Sequence, residues 1–554
     1  MGHLGEPLPP GDIHGVSVNL PKWEDTVGWS SRNPQVLAQL KTGYPRFFIH
    51  RLIDKLAEQI VKRFHTHNDH SPLSSEETLA VLFPCQRSAD QCGQFLRKNL
   101  TEIQAGRVTV LPFCNDPNSP SMHKAKLSVD WQNLELYAVF YPDSAFGLAK
   151  SFWQHTGFGI SSRYAELCLE NQHLLSLQRM TTPYLACIDR CNAESEPHDR
   201  TKGLELLAAG DIDSPKAILR QRIAELCATD TQGRMASLSN MAQSLQQHFQ
   251  KDRPVVAIFG FLYVDTIKTL QKVYDFETRL YGHASSEDLD ALEEDLSSGR
   301  KIHALICEFP GNPLLQSPDL KRLHQLAKQH SFRLVVDDTV GTSANLALLP
   351  HCDMISTSLT KFFSGGCNVM GGSLVLNPHS QFYRAMHAEL TANFMDTYFP
   401  SDASVMEANS RDFAVRLRKA SGNAEVLCDM LRQHPAVAHV YYPKGSSTQS
   451  LYDACRRTDG LYGYLFSVEF VTPAKAVAFY DALDVAKGPS LGTNFSLACA
   501  YTLLAHYNEL EWAAQYGVGE HLVRISVGLE DLDTLSEKIT VALNATQAAG
   551  LERE

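Results

Sequence analysis

No stretch of the chain approaches the roughly 20 consecutive apolar residues that a membrane-spanning helix needs, so a transmembrane protein is not expected. Runs of lysine or arginine are missing too: 50 basic residues face 62 acidic ones, a net charge of −12. The electrostatic footprint that nucleic acids and anionic membrane surfaces require is therefore absent. Small-molecule partners are predicted instead, with no nucleic acid and no membrane among them. The thirteen cysteines, spread from Cys85 to Cys499, include no C-x-x-C pair. Such an odd, unpatterned set points to reduced thiols in an intracellular, cytoplasmic setting and against a disulfide framework or a metal site. The start MGHLGEPLPPGDIHG has neither a basic leader nor an apolar core, so no targeting segment is expected. No G-x-G-x-x-G follows a strand pattern, which weighs against a nucleotide-binding dehydrogenase.

What is present is an ordinary globular composition, 44% hydrophobic and 20% charged over 554 residues, long enough for two or three domains. Three textures divide it. Residues 1–228 mix short helical patterns with proline-containing turns, including an exposed loop at 115–121 (NDPNSPS), and read as an N-terminal extension and arm. Residues 229–400 alternate apolar β-type runs (PVVAIFGF, HALICEF, RLVVDD, MISTS, GGSLVL) with amphipathic helices over 264–274 and 318–330. Strands apolar on both faces and separated by helices predict an α/β fold with a mostly parallel sheet, covered on both sides, whose ligands sit at the carboxyl ends of the strands. Residues 401–554 read as a smaller α+β domain, with helices over 474–483 and 531–546 and a short strand in HLVRISVG.

The sharpest local feature is the run from Ser356 to Gly366, STSLTKFFSGG: an apolar strand leads into a hydroxyl-rich turn with one lysine, then glycines. An amine attacks an aldehyde only when unprotonated, and the end of a buried strand is where desolvation favours that state, so Lys361 is a candidate Schiff-base lysine. Ser358 and Thr360, projecting to one side of the departing strand, can donate hydrogen bonds to a phosphate. The bland alternative is a solvated lysine after a polar turn. Strand RLVVDD ends in two carboxylates, of which Asp337 is the first past the apolar run. It is a candidate partner for a cofactor ring nitrogen, or merely a turn-forming aspartate. Tyr263 follows PVVAIFGF and is either a ring-stacking aromatic or a core tyrosine. Asn312 follows HALICEF and its Pro-Gly turn, where an amide can donate to a ring oxygen or a substrate carboxylate. Arg524 interrupts the apolar strand LVRISVG, where an unpaired guanidinium is costly; a fork for an α-carboxylate explains it, and so does a structural salt bridge.

Taken in order, GFLYVDT (260–266), EFPGNPLL (308–315), VVDDTVGT (335–342), STSLTKFFSGGCNVMGGSLVLNP (356–378), KGPSLGTNFSLACAYTLLAHY (487–507) and RISVGLED (524–531) resemble the Cys/Met-metabolism branch of fold type I pyridoxal-5'-phosphate (PLP) enzymes. Within it they are most similar to the long fungal cystathionine γ-synthases, and the N-terminal VSVNLPKWEDTVGW and TGYPRFFIHRL extend the resemblance over nearly the whole chain. The resemblance implies PLP as cofactor, with Lys361 as the Schiff-base lysine, Asp337 on the pyridine nitrogen and Tyr263 stacked on the ring. It assigns the phosphate to Ser358 and Thr360, together with backbone amides around Gly233 and Met235. It makes Asn312, Ser490 and Arg524 the ligands of small amino-acid substrates. Family members borrow a Tyr-x-Arg pair from a neighbouring subunit, so a homodimer or homotetramer is expected. Arg163, in SSRYAE, is the favoured counterpart of that arginine, with Arg46 of Tyr44-Pro45-Arg46 in reserve. Two departures from the pattern stand beside the cofactor: Arg234 within Gly233-Arg234-Met235, and Cys367-Asn368 where a small residue followed by Asp is expected. The implied reaction is γ-replacement on an O-acylated homoserine, with cysteine as nucleophile to give cystathionine. Rivals are sulfide or a carbon nucleophile, a cystathionine lyase, and a non-catalytic relative.

Overall fold

The computed structural model describes residues 2–67, 77–115, 135–171, 175–177, 214–227 and 253–549. Two compact units divide the chain: one holds residues 1–48, 220–396 and 405–554, the other residues 49–219 and 397–404. This division departs from the sequence boundaries at 228 and 400. Local texture could not reveal that the first 48 residues belong with the parallel sheet; long-range bonds put them there.

The first unit is built on six strands in the order 372–376, 354–358, 333–337, 304–308, 255–259, 277–281. All neighbours are parallel except Gly372–Leu376, which runs antiparallel to Met354–Ser358. Four of the five parallel strands match the apolar runs in the sequence. Ala304–Glu308 and Arg333–Asp337 each bury four residues and then emerge at an acid. Glu277–Tyr281 escapes sequence reading because it is an edge strand in which only Tyr281 is buried. Helix Leu320–His330 follows its 3.6-residue period closely: Asp319 caps it by accepting the Arg322 amide at 3.0 Å, and Leu320, Leu323 and Leu326 are buried. Chain order reverses between strands 255–259 and 304–308, which opens a crevice at their carboxyl ends.

A second sheet in this unit has the order 437–441, 465–470, 523–526, 497–500, 486–487 and is antiparallel apart from its last pair. Helices Phe413–Arg432, Pro473–Ala482 and Leu532–Ala548 cover it around a core that includes Leu427, Phe466, Phe479 and Ile525.

The other unit contains a four-stranded antiparallel sheet in the order 78–83, 135–142, 109–115, 175–177, with helices Arg51–His67, Gln86–Asn99, Phe146–Thr156 and Ser162–Glu170. Its core stacks Phe64 on Phe140 at 4.2 Å. Asn115 ends a strand; residues 116–121 of the expected loop lie outside the described residues. Among the described residues, no helix is long and apolar enough to cross a membrane.

Leu323 is fully buried between its helix and the parallel sheet. Leu323→Ala should lower unfolding stability by about 2–5 kcal/mol, read as a shift in a urea midpoint, since truncation there removes apolar contacts and leaves a cavity.

Candidate active site

Four parallel strands of the first unit lead into the site, three of them to residues singled out above and one to Glu308. Strand 255–259 leads through Gly260 to Tyr263; 304–308 ends on Glu308; 333–337 ends on Asp337; 354–358 turns into Lys361. Glu308 and Asp337 are direct partners in the parallel ladder, so both project to the same face.

The two consecutive aspartates have different surroundings. Asp338 is sealed inside: Thr357 and Ser343 each donate a hydroxyl to its carboxylate at 2.5 Å. Asp337 is half-exposed and accepts the Thr339 amide at 2.9 Å. Burial pushes the Asp337 carboxyl up to about 6, against the hydroxyl and amide of Thr339. Glu308 is pushed up to about 8 by burial first and by Asp337 second. It accepts the Tyr263 amide at 2.7 Å and the Asn312 amide at 3.0 Å, one on each oxygen. A single carboxyl therefore fixes the backbones of the candidate stacking residue and the candidate substrate amide.

Lys361 is buried, 9% exposed. Its Nζ donates to Tyr44 Oη at 3.1 Å and to Ser490 Oγ at 3.4 Å, and lies 4.4 Å from the centre of the Tyr44 ring. The turn carrying it is held from behind. Gly492, at φ +68°, packs so closely that a Cβ there would come within 2.5 Å of the Phe362 amide. Arg416, buried in helix Phe413–Arg432, donates to the carbonyls of Phe362 and Phe363 at 3.1 and 3.0 Å. Thr360 Oγ1 donates to the Gly371 carbonyl at 3.2 Å and accepts the Gly371 amide at 3.0 Å, so it ties the turn to the next strand. Ser358 is half-buried and lines a cavity with Asp338, Thr339 and Thr357.

Tyr263 donates its hydroxyl to Asp265 at 2.9 Å. Burial, then Asp265 and Tyr44, hold its phenol well above the usual value, while Arg46 pulls it down. Arg46 shares this cluster: burial works against its charge, but Tyr263, Asp265 and Tyr44 together raise its pKa.

Arg524 is buried, 5% exposed, and every acceptor it has is neutral. Nη1 donates to Asn312 Oδ1 at 3.0 Å, Nη2 donates to the Ser490 carbonyl at 2.9 Å, and the guanidinium stacks 4.9 Å from the Tyr501 ring. Asn312 Nδ2 in turn meets Tyr501 Oη at 3.4 Å. No described carboxylate lies within ion-pair distance of Arg524, so the structural salt bridge entertained for it is not formed. A buried guanidinium held by neutral oxygens alone is suited to an anion from outside.

The other candidate arginine is Arg163. It lies in the second unit, ion-paired to Asp402 at 3.0 Å. Of the two arginines the sequence offers, Arg46 is the one grouped with Tyr263, Asp265 and Tyr44 of its own chain. Gly233, Arg234 and Met235 lie outside the described residues. Sequence reading misses Glu308 as an organiser, Tyr501 under Arg524, and Arg416, because nothing in local pattern marks a buried side chain that acts on a segment 54 residues away.

The donor set suits a phosphorylated aromatic aldehyde. A buried amine can join the aldehyde, a strand-end carboxylate can face a ring nitrogen, and hydroxyls with Arg46 offer hydrogen bonds and positive charge for the phosphate.

In the cofactor-free protein Glu308 binds a proton that the unfolded chain releases above its ordinary carboxylate range. Its contribution to stability is thus complete at low pH and is lost as pH rises through about 8. Unfolding free energies from urea titrations should fall by about 1 kcal/mol per pH unit between the ordinary carboxylate range and about 8. Glu308→Gln should be less stable at low pH, having lost one acceptor, yet nearly flat with pH; an unchanged slope would remove Glu308 as its source.

A family model described as Cys/Met metabolism PLP-dependent enzyme matches residues 213–544, and one described as fungal trans-sulfuration enzyme, N-terminal domain, matches residues 52–161. The chain is 37% identical to a cystathionine gamma-synthase of Neurospora crassa, over 98% of each chain. It is also 37% identical to the cystathionine gamma-synthase-like enzyme iboG1 of Amanita muscaria, again over 98% of each. Among solved structures, a cystathionine gamma-lyase from yeast superposes with a TM-score of 0.54 at 26% identity, over 60% of this chain and 86% of that one. A cystathionine gamma synthase from Xanthomonas oryzae pv. oryzae gives the same TM-score and coverage at 24% identity, a likeness of fold. The chain belongs to the Cys/Met-metabolism family of PLP-dependent enzymes.

Proposed function

We propose that this enzyme carries out γ-replacement on an O-acylated homoserine, with cysteine as the nucleophile. The acyl group leaves as a carboxylic acid and the cysteine sulfur bonds to the γ-carbon, giving cystathionine. The observation that carries the reading is Arg524: a buried guanidinium with only neutral acceptors, anchored through Ser490 and Asn312 beside the Lys361 amine. An amino-acid carboxylate there would place the α-carbon near Lys361.

PLP, when bound, supplies an electron sink for carbanions at the α and β carbons of the substrate. The chain's own residues do the rest. Lys361 would hold the cofactor, and its amine would be the base that takes and returns the substrate's α-proton. Asp337 would keep the ring nitrogen protonated, Tyr263 would serve the ring, and Ser358 and Thr360, with Arg163 or Arg46, would hold the phosphate. Asn312, Ser490 and Arg524 orient the substrate. Tyr44, within hydrogen-bond reach of Lys361 Nζ, can pass a proton to or from it. Gly233 and Met235 belong to the phosphate site by resemblance alone. Assembly as a homodimer or homotetramer, in the cytoplasm, completes the reading.

Relatives have diverged: an Aspergillus violaceofuscus protein named alanine racemase ungC is 30% identical over 98% of this chain. The nucleophile is therefore what needs measuring. Incubation with O-acetylhomoserine plus cysteine, sulfide or a carbon nucleophile, with products read by mass spectrometry, should give cystathionine. A different adduct would replace cysteine, and breakdown of cystathionine would make the enzyme a lyase. Lys361→Ala should lose the visible absorbance of the bound cofactor together with turnover. Arg524→Gln should retain that absorbance and lose about 10- to 100-fold in kcat/KM, mostly through KM, the worth of one or two hydrogen bonds to a charged group. An unchanged KM would mean the carboxylate binds elsewhere.

A further inference from the structure

We infer that Tyr501 is a further substrate ligand: its hydroxyl donates to the carboxylate that Arg524 receives, and its ring covers the guanidinium. The inference deepens the reading of Arg524 as the carboxylate fork and rests on it.

The placement follows from strand register. Cys499 and Arg524 are directly opposed in the antiparallel ladder of strands 497–500 and 523–526. Side chains alternate along a strand, so Tyr501, two residues beyond Cys499, lies on the same face as Arg524. The Tyr501 amide still donates to the Leu522 carbonyl at 3.1 Å, which carries the pairing up to the start of helix Tyr501–His506. The residue is buried, 3% exposed, with its ring 4.9 Å from the guanidinium of Arg524. The His506 ring packs against it at 5.8 Å and against Phe261 at 4.9 Å, and Glu509 holds His506 Nδ1 at 2.9 Å. Swinging the phenol away would break up this packed cluster, so the ring stays over the guanidinium, where the cation–π contact favours it.

The hydrogen bonds leave one donor over. A guanidinium has donors only, so the Asn312 atom that Nη1 meets is the oxygen, and Nδ2 is the atom turned toward Tyr501 Oη. Tyr501 Oη therefore accepts in this chain of bonds, and no described residue accepts its hydroxyl hydrogen. Burial holds the phenol well above its usual value, with Arg524 pulling it down and Glu308 pushing it up, so the hydrogen is retained at neutral pH. A buried O–H without an acceptor is costly, and a carboxylate arriving at Arg524 supplies one. Arg524 and Tyr501 then grip that carboxylate from two directions, and Asn312 links the two donors.

The test uses the cofactor-loaded enzyme and two ligands that lack a γ-leaving group: L-norvaline, and n-butylamine, the same chain without its carboxylate. Binding of each is read from the change in cofactor absorbance. Wild type should prefer L-norvaline. Tyr501→Phe, which removes only the hydroxyl, should weaken L-norvaline about 10-fold, the worth of one hydrogen bond to a charged group, and leave n-butylamine where it was. Equal losses for the two ligands would mean a structural role, and an unchanged L-norvaline affinity would mean no contact; either result overturns the inference. If wild type itself does not discriminate between the ligands, the reading of Arg524 fails. If wild type discriminates and Tyr501→Phe does so as strongly, only the role of Tyr501 fails. Should Tyr501→Phe not fold, 3-fluorotyrosine at position 501, a more acidic donor of nearly the same shape, should bind L-norvaline more tightly than wild type, and a level or weaker affinity would overturn the inference.

Discussion

Two carboxyls at adjacent strand ends, Glu308 and Asp337, cannot both be charged in a buried crevice without help. The parallel register forces them side by side, and burial raises both. The conflict is handled by giving them different work. Glu308 turns inward and anchors the amides of Tyr263 and Asn312. Asp337 stays at the rim, where a cationic ring nitrogen would be the neighbour that restores its charge. The geometry of the site follows: one acid organises two loops, and the other is left available to a ligand.

A comparable economy holds for the cations. Lys361 and Arg524 are both buried and share Ser490, one through its hydroxyl and the other through its carbonyl. Among the described residues, no carboxylate lies within ion-pair distance of either, although Arg524 is close enough to Glu308 to act on its carboxyl. The site is thus poised for anions, which matches a cofactor bearing a phosphate and a substrate bearing a carboxylate.

Much of this arrangement is legible in the amino-acid sequence. Apolar runs ending in Asp337 or in the Ser358–Lys361 turn announce a parallel sheet and its catalytic edge, because burial on both faces leaves the strand end as the place where polar chemistry can surface. Arg524 stands out as a charge in an apolar strand. Sequence fails where position depends on distant segments. Nearness to the sheet along the chain favours Arg163 over Arg46, yet Arg46 is the one that the fold groups with Tyr44 and Tyr263 of its own chain. The antiparallel sheet of that unit is unreadable amid proline-containing turns, and the Glu277–Tyr281 strand is hidden by its exposed edge. Asp337 can be preferred to Asp338 by order alone, but only the hydroxyls of Thr357 and Ser343 explain why the second acid is spoken for.

The bond between Leu20 and Lys487 joins positions 467 residues apart. As the polypeptide leaves the ribosome, the segment around Leu20 has no partner until the stretch around Lys487 emerges. Buried residues such as Val18 and Leu20 must wait exposed through nearly the whole of synthesis, with a correspondingly slow loop to close.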